Sequence, residues 1–169
     1  MSRPKDSEPS TRAWALFLLA HTLLMERIEA ALTAAGLPPL AWYDVLWELE
    51  KAEGGRLRMH ELADRIVLPR YNLTRLADRL EQAALLQRED CQDDRRGFFL
   101  AITGAGRQMR QRMWTVYGPQ IEALFARHLT AAQARELSEV LAQMARGAKE
   151  PADAKPKASA GSHRKERRR

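Results

Sequence analysis

Apolar positions recur mostly at helical spacing, and glycine and proline cut the pattern into a succession of helices. Between Arg12 and Ala35, one stripe holds Trp14, Phe17, Leu18, Leu24, Ile28, Ala31 and Leu32. Leu16, Leu19 and Leu23 widen that stripe beyond what one neighbour covers. A helix buried on two sides lies at a subunit interface or deep in a core. Gly36 stops it, and Pro38-Pro39 starts the next segment. Residues 40–52 are predicted helical again, with Leu40, Tyr43, Leu46 and Trp47 on one face, ending at Gly54-Gly55. A short stretch, Arg56-Leu57-Arg58, leads into a brief helix over Met59–Arg65. Pro69 suits the first position of a further helix reaching about Ala83, because its missing N–H would be unpaired there in any case. That helix sets Leu73, Leu76, Ala77 and Leu80 against a polar face of Arg70, Tyr71, Asn72, Thr74, Arg75, Asp78 and Arg79.

The period then changes. Leu85–Glu89 and Phe98–Ile102 read as strands, and in the second Phe98, Leu100 and Ile102 alternate with Phe99 and Ala101. Asp90–Gly97 between them is a strongly charged loop. Thr103 is the expected N-cap of a long helix from Gly104 to about His128, with a kink expected near Gly118 because Pro119 removes a backbone donor. Thr130 and Gln133 form a capping box for a last helix carrying Leu137, Val140, Leu141 and Met144. The fold class is therefore mainly α (α+β). A flexible arm is expected at 1–11, long helices at 12–38 and 104–146, a helix-and-hairpin region at 39–103 and a disordered basic tail at 147–169.

Composition narrows the class. With 169 residues, 45% hydrophobic and 30% charged, the chain is ordinary for one globular domain rather than disordered throughout. No run of about 18 apolar residues is present, so no membrane span is expected. The polar start MSRPKDSEPSTR lacks the apolar centre of a secretory signal. Cys91 stands alone and cannot form an internal disulfide, which fits a reducing cytoplasm. The net charge of +6 belongs mostly to the ends, since residues 13–147 carry 17 basic and 17 acidic groups. Within that body, 13–55 holds 2 basic and 6 acidic residues, whereas 56–112 holds 12 and 8. All twelve basic residues of the central segment are arginine, the side chain suited to bidentate contact with phosphate and guanine.

Short helix, tight turn, helix with an Arg-rich face, strand, charged loop, strand: this order is that of a helix-turn-helix followed by a wing. Arg70, Tyr71 and Asn72 begin the second helix, which points into the major groove, and are candidates for base edges. Thr74, Arg75 and Arg79 lie further along and suit phosphates. The loop Asp94-Arg95-Arg96 is a candidate wing tip, with the Asp94 carboxylate two residues before Arg96 able to hold it extended toward a minor groove.

The stretch LTRLADRLEQAALLQRED, the wing DDRRGFFLAIT and the continuation ITGAGRQ resemble the multiple-antibiotic-resistance regulator (MarR) family of winged helix-turn-helix transcription factors. The resemblance spans about Trp14–Met144 and is most specific over 68–107. Asp94-Arg95-Arg96, Ile102-Thr103 and Gly106-Arg107 follow the family pattern, with Ile where Leu is usual. By that match Arg96 enters the minor groove and Asp94 supports it. The start of the recognition helix, Leu68-Pro69-Arg70-Tyr71-Asn72, departs from the small Ser or Thr residues more usual there. The family implies a homodimer whose dimerisation domain is built from the N- and C-terminal helices. It also implies a small aromatic or phenolic ligand in a crevice beside the winged helix, for which His21, Trp42 and Tyr43 are the candidates.

The expected partners are thus double-stranded DNA, a second copy and a small effector, with no membrane. The expected protein is a cytoplasmic repressor on a pseudo-palindromic site. A rival reading is a ligand-independent architectural or nonspecific DNA-binding protein using the tail that ends HRKERRR. Cys91 is read as a passive thiol, and His21, His60, His128 and His163 share no metal-ligand spacing with it, so neither metal nor cofactor is expected. No phosphate loop, nucleophile elbow or clustered acid–base pattern supports an enzyme.

Overall fold

Helix α1 spans Pro9–Ala34. The computed structural model describes residues 9–66, 70–91 and 97–149, without the side chains of Arg70 and Tyr71. Residues 9–11, expected in the arm, are helical instead: Pro9 sits in the first turn, where a missing N–H leaves nothing unpaired. Gly36, at φ 67°, closes α1. Leu37 N–H donates to Leu32 O at 2.9 Å and Gly36 N–H to Thr33 O at 3.0 Å, a Schellman motif with apolar Leu32 and Leu37 at its ends.

α2 (Leu40–Lys51), α3 (Met59–Arg65) and α4 (Arg70–Gln82) follow. The same closing motif ends α4, with Leu85 N–H on Leu80 O at 2.9 Å, but here Ala84 holds the left-handed position at φ 57°. That costs about 1–2 kcal/mol where glycine would cost nothing. The hairpin is β2 (Leu86–Asp90) and β3 (Phe98–Ile102), in antiparallel register from Leu86↔Ile102 to Asp90↔Phe98. Arg56–Arg58, read only as a short stretch, is a third strand, β1, paired antiparallel to β3 in the order β1-β3-β2. Three residues are too few for period-2 alternation to register.

Leucines from every one of these elements meet in one core. Leu46, Leu49, Leu62, Leu73, Leu80 and Leu100 are fully enclosed in it. A second cluster joins Ile28 and Leu32 of α1 to Leu40 and Tyr43 of α2 and to Met113. Met113 belongs to α5 (Gly104–Leu124), which is continuous through Pro119. Thr103 caps α5 as expected, accepting from Gly106 N–H at 3.0 Å while donating to Ala84 O at 2.8 Å. α5 stops at Leu124 rather than reaching His128. The chain leaves helical angles at Phe125 and tightens into a single 3₁₀ turn over Ala126–His128.

The chain divides after His128 into two compact units. The second contains α6 (Ala131–Lys149). Its capping box forms: Thr130 N–H donates to Gln133 Oε1 at 2.9 Å and Gln133 N–H to Thr130 Oγ1 at 3.3 Å. Residues 147–149, expected in the tail, extend this helix. Ala148 and Lys149 are good helix formers, and the Arg146 and Lys149 charges lie at the negative end of the helix dipole.

Candidate functional site

α4 separates its residues by face as the spacing requires. Leu73, Leu76, Ala77 and Leu80 are buried, while Asn72, Thr74, Arg75 and Arg79 are exposed. Among the described residues neither Arg75 nor Arg79 carries an ion pair. The acids on the same helix are engaged elsewhere. Arg88 of β2 reaches Asp78 at 2.5 Å and pairs also with Glu81, and its guanidinium lies 5.2 Å over the Phe98 ring. One arginine thus ties the hairpin to α4 and offsets part of the charge of the two carboxylates that would repel a polyanion. The face left over is cationic and polar. Asn72, Arg75 and Arg79 also line a cleft of about 300 Å³ with Pro39, Ala41 and Trp42 at the start of α2.

The side chains of Arg70 and Tyr71, and all of Asp94, Arg95 and Arg96, lie outside the described residues. The base of that loop is described. Cys91 N–H donates to Gly97 O at 3.2 Å, carrying the ladder beyond β2. Cys91 is buried there, with Arg58 Nη2 donating to its Sγ at 3.0 Å. Arg56 and Arg58 stack on Phe99 at 4.8 and 5.4 Å, and Arg56 pairs with Glu89 at 3.1 Å.

A second feature lies between α2 and α5. Tyr43, Asp44 and Trp47 face Arg110, Trp114, Tyr117 and Ile121 across a cavity of about 720 Å³. Tyr43 is the centre of its aromatic wall, stacked near Trp47 and Trp114 at 6.3 and 6.0 Å and edge-on to Tyr117 at 5.2 Å. Arg110 pairs with Glu50 and lies 5.2 Å over the Trp47 ring. Desolvation raises the Tyr43 phenol, with Arg110 pulling the other way, and it raises Tyr117, with Asp44 adding. Desolvation also pushes the Asp44 carboxyl up to about 6, helped by the nearby charges of Glu48 and Glu29. Asp44 keeps part of its surface open to solvent, so its environment is half wet rather than sealed.

Of the three residues expected to share a ligand crevice, only Tyr43 lines this cavity. Trp42 packs into both cores and faces the α4 cleft instead, and His21 is exposed on α1 beside Phe17. Sequence reasoning missed Asp44, Arg110, Trp114 and Tyr117. A signal existed, because 110, 114, 117 and 121 fall on one helical face. No described helix is long and apolar enough to cross a membrane.

A sequence profile described as MarR family matches residues 35–97. The HTH-type transcriptional regulator PrsX of Escherichia coli is 31% identical over 98 residues, 58% of this chain. The chain spans only 58% of the length of that curated relative. AbsC, a MarR family transcriptional regulator from Streptomyces coelicolor, has a TM-score of 0.78 at 28% identity, covering 88% of this chain and 98% of its own. Sco3205, another from that organism, solved in complex with DNA, has a TM-score of 0.80 at 28% identity, covering 91% and 96%. The profile match covers the helix-turn-helix and the first strand of the hairpin, and in sequence and fold the chain is similar to MarR family transcriptional regulators.

Proposed function

We propose that the protein is a sequence-specific DNA-binding repressor, acting in the cytoplasm as a homodimer on a pseudo-palindromic operator. The observation that carries this reading is the α4 face, where Asn72, Thr74, Arg75 and Arg79 stand exposed while Arg88 pairs with the neighbouring acids. α4 lies in the major groove: Arg70, Tyr71 and Asn72 read base edges, and Thr74, Arg75 and Arg79 hold phosphates. The wing places Arg96 in the minor groove, with Asp94 holding it and Arg95 beside it. A relative of the same fold, Sco3205, has been solved on DNA. Support for the second copy comes from α1, where Trp14, Leu16, Leu19 and Leu23 are all more than half exposed. That apolar face, with the later helices, forms the dimerisation surface.

A small aromatic ligand enters the cavity between α2 and α5. α2 belongs to the winged helix and α5 packs on α1, so a ligand wedged between them favours one spacing of the two DNA-reading units. Release of DNA is then a population shift that requires different affinities for the two spacings.

Selection of bound duplexes from random DNA tests the reading. An inverted repeat with half-sites about one helical turn (~10 bp) apart is the expected outcome. The chain ending at 149 should select the same repeat. A featureless pool, or loss of all binding on removing 150–169, would favour nonspecific association through the basic tail.

A further inference from the structure

We infer that the cavity between α2 and α5 takes an organic cation, an alkylated or aromatic ammonium, in preference to an aromatic acid. This rests on the reading of that cavity as a ligand site and adds the sign of the ligand's charge.

Four aromatic rings and one carboxylate without a partner line the same space. Trp47, Tyr43 and Trp114 stand roughly parallel, 18° and 20° apart, and Tyr117 is turned edge-on to Tyr43 and Trp114. Ring faces attract cations, most strongly where water is partly excluded. Asp44 opens onto this space, and among the described residues nothing donates to it or pairs with it. The one cation lining the cavity among those residues is Arg110, and its charge is already answered. It pairs with Glu50 and lies over Trp47, so an incoming carboxylate would have to displace Glu50.

The surrounding charges point the same way. Glu48 is held by Lys51 at 2.6 Å, and Glu29 accepts from Leu40 N–H at 3.0 Å. Arg65 lines an adjoining cleft with Asp44 and Glu48 and is itself exposed. Among the described residues Asp44 and Glu29 are thus left without a matching cation. Burial first, then Glu48 and Glu29, push the Asp44 carboxyl up to about 6. A partly desolvated carboxylate with no cation beside it among the described residues favours the arrival of one. An aromatic acid meets that same carboxylate as a repulsion.

Tryptophan fluorescence of the full chain, titrated with benzyltrimethylammonium and separately with phenylacetate, tests the assignment. At about pH 7.5 the cation should bind at least about tenfold more tightly than the acid. Asp44→Asn should weaken the cation about tenfold and leave phenylacetate unchanged or improved. Lowering the pH to about 5 protonates Asp44 and should weaken the cation for the unmodified chain but not for Asp44→Asn. The pH arm needs no variant to fold. Tighter binding of phenylacetate, equal cation affinity in Asp44→Asn, or no cation binding would overturn the inference. Release of the selected duplex is followed in parallel. A cation that binds without releasing DNA upholds the cation site and contradicts the effector reading, so the two failures are distinguishable.

Discussion

The amino-terminal half of α1 and the core beneath α4 are made of the same residues and meet opposite fates. Leu19 and Leu23 are 55% and 51% exposed, whereas Leu46, Leu73 and Leu100 are completely enclosed. Helical periodicity marks both sets as residues to be hidden from water. It does not say what hides them. In the core, α2, α3, α4 and the three strands close on one another, and each element's apolar face is answered from within the chain. In α1 Ile28 and Leu32, near its end, are buried that way, with Met25 packed beside them. The contrast separates residues that make the fold from residues that, on the proposed function, make an assembly.

The largest effect expected from breaking this contrast falls on the exposed side. Leu19→Asp with Leu23→Asp should leave the circular dichroism of the folded chain intact and convert a dimer to a monomer in sedimentation. Operator binding should be lost with it, since each half-site alone supplies only part of the interface. On the enclosed side, Leu46→Ala should cost about 2–5 kcal/mol in denaturant unfolding. Leu19→Ala should cost much less at concentrations where the chain is monomeric. Equal costs for the two would erase the distinction. Thr103→Ala removes the α5 cap and the bond to Ala84 O, and should lower stability by about 1 kcal/mol.

The smallest effect has the opposite sign. Asp44 has its carboxyl raised from 3.8 to about 6, so in that pH range the folded chain binds more protons than the unfolded one. Its contribution to stability is fully present below about pH 4 and is lost as pH rises through about 6. Asp44→Asn should therefore raise the melting temperature slightly at neutral pH and leave it unchanged near pH 4.

Most helices were legible because glycine and proline punctuate a clear helical period. Gly36, Thr103 and the Thr130–Gln133 pair each sit at or beside a boundary found in the fold, while Pro69 lies outside the described residues. β1 was not legible, being three residues stabilised only by pairing with β3. The polar face of α4 followed from spacing alone. The cavity did not, for a geometrical reason. Trp42 turns toward both cores and the α4 cleft, whereas its neighbour Tyr43 turns toward α5, a choice set by packing rather than by local spacing. Tyr43, Asp44 and Trp47 line the cavity from α2, and the rest of the wall comes from α5, too distant in sequence for any local pattern to join them. The Arg88 clamp was equally hidden, because its partners Asp78 and Glu81 are brought to it by the fold.

The most direct test of the DNA-reading account is a titration of the selected duplex with the Arg75→Ala, Arg79→Ala double variant across a range of salt concentrations. Affinity should fall by at least about tenfold with the dimer intact. The slope of log K against log salt should shrink by about 0.9 for each phosphate the variant no longer neutralises. Unchanged affinity and an unchanged slope would contradict the assignment of α4 as the helix that meets DNA.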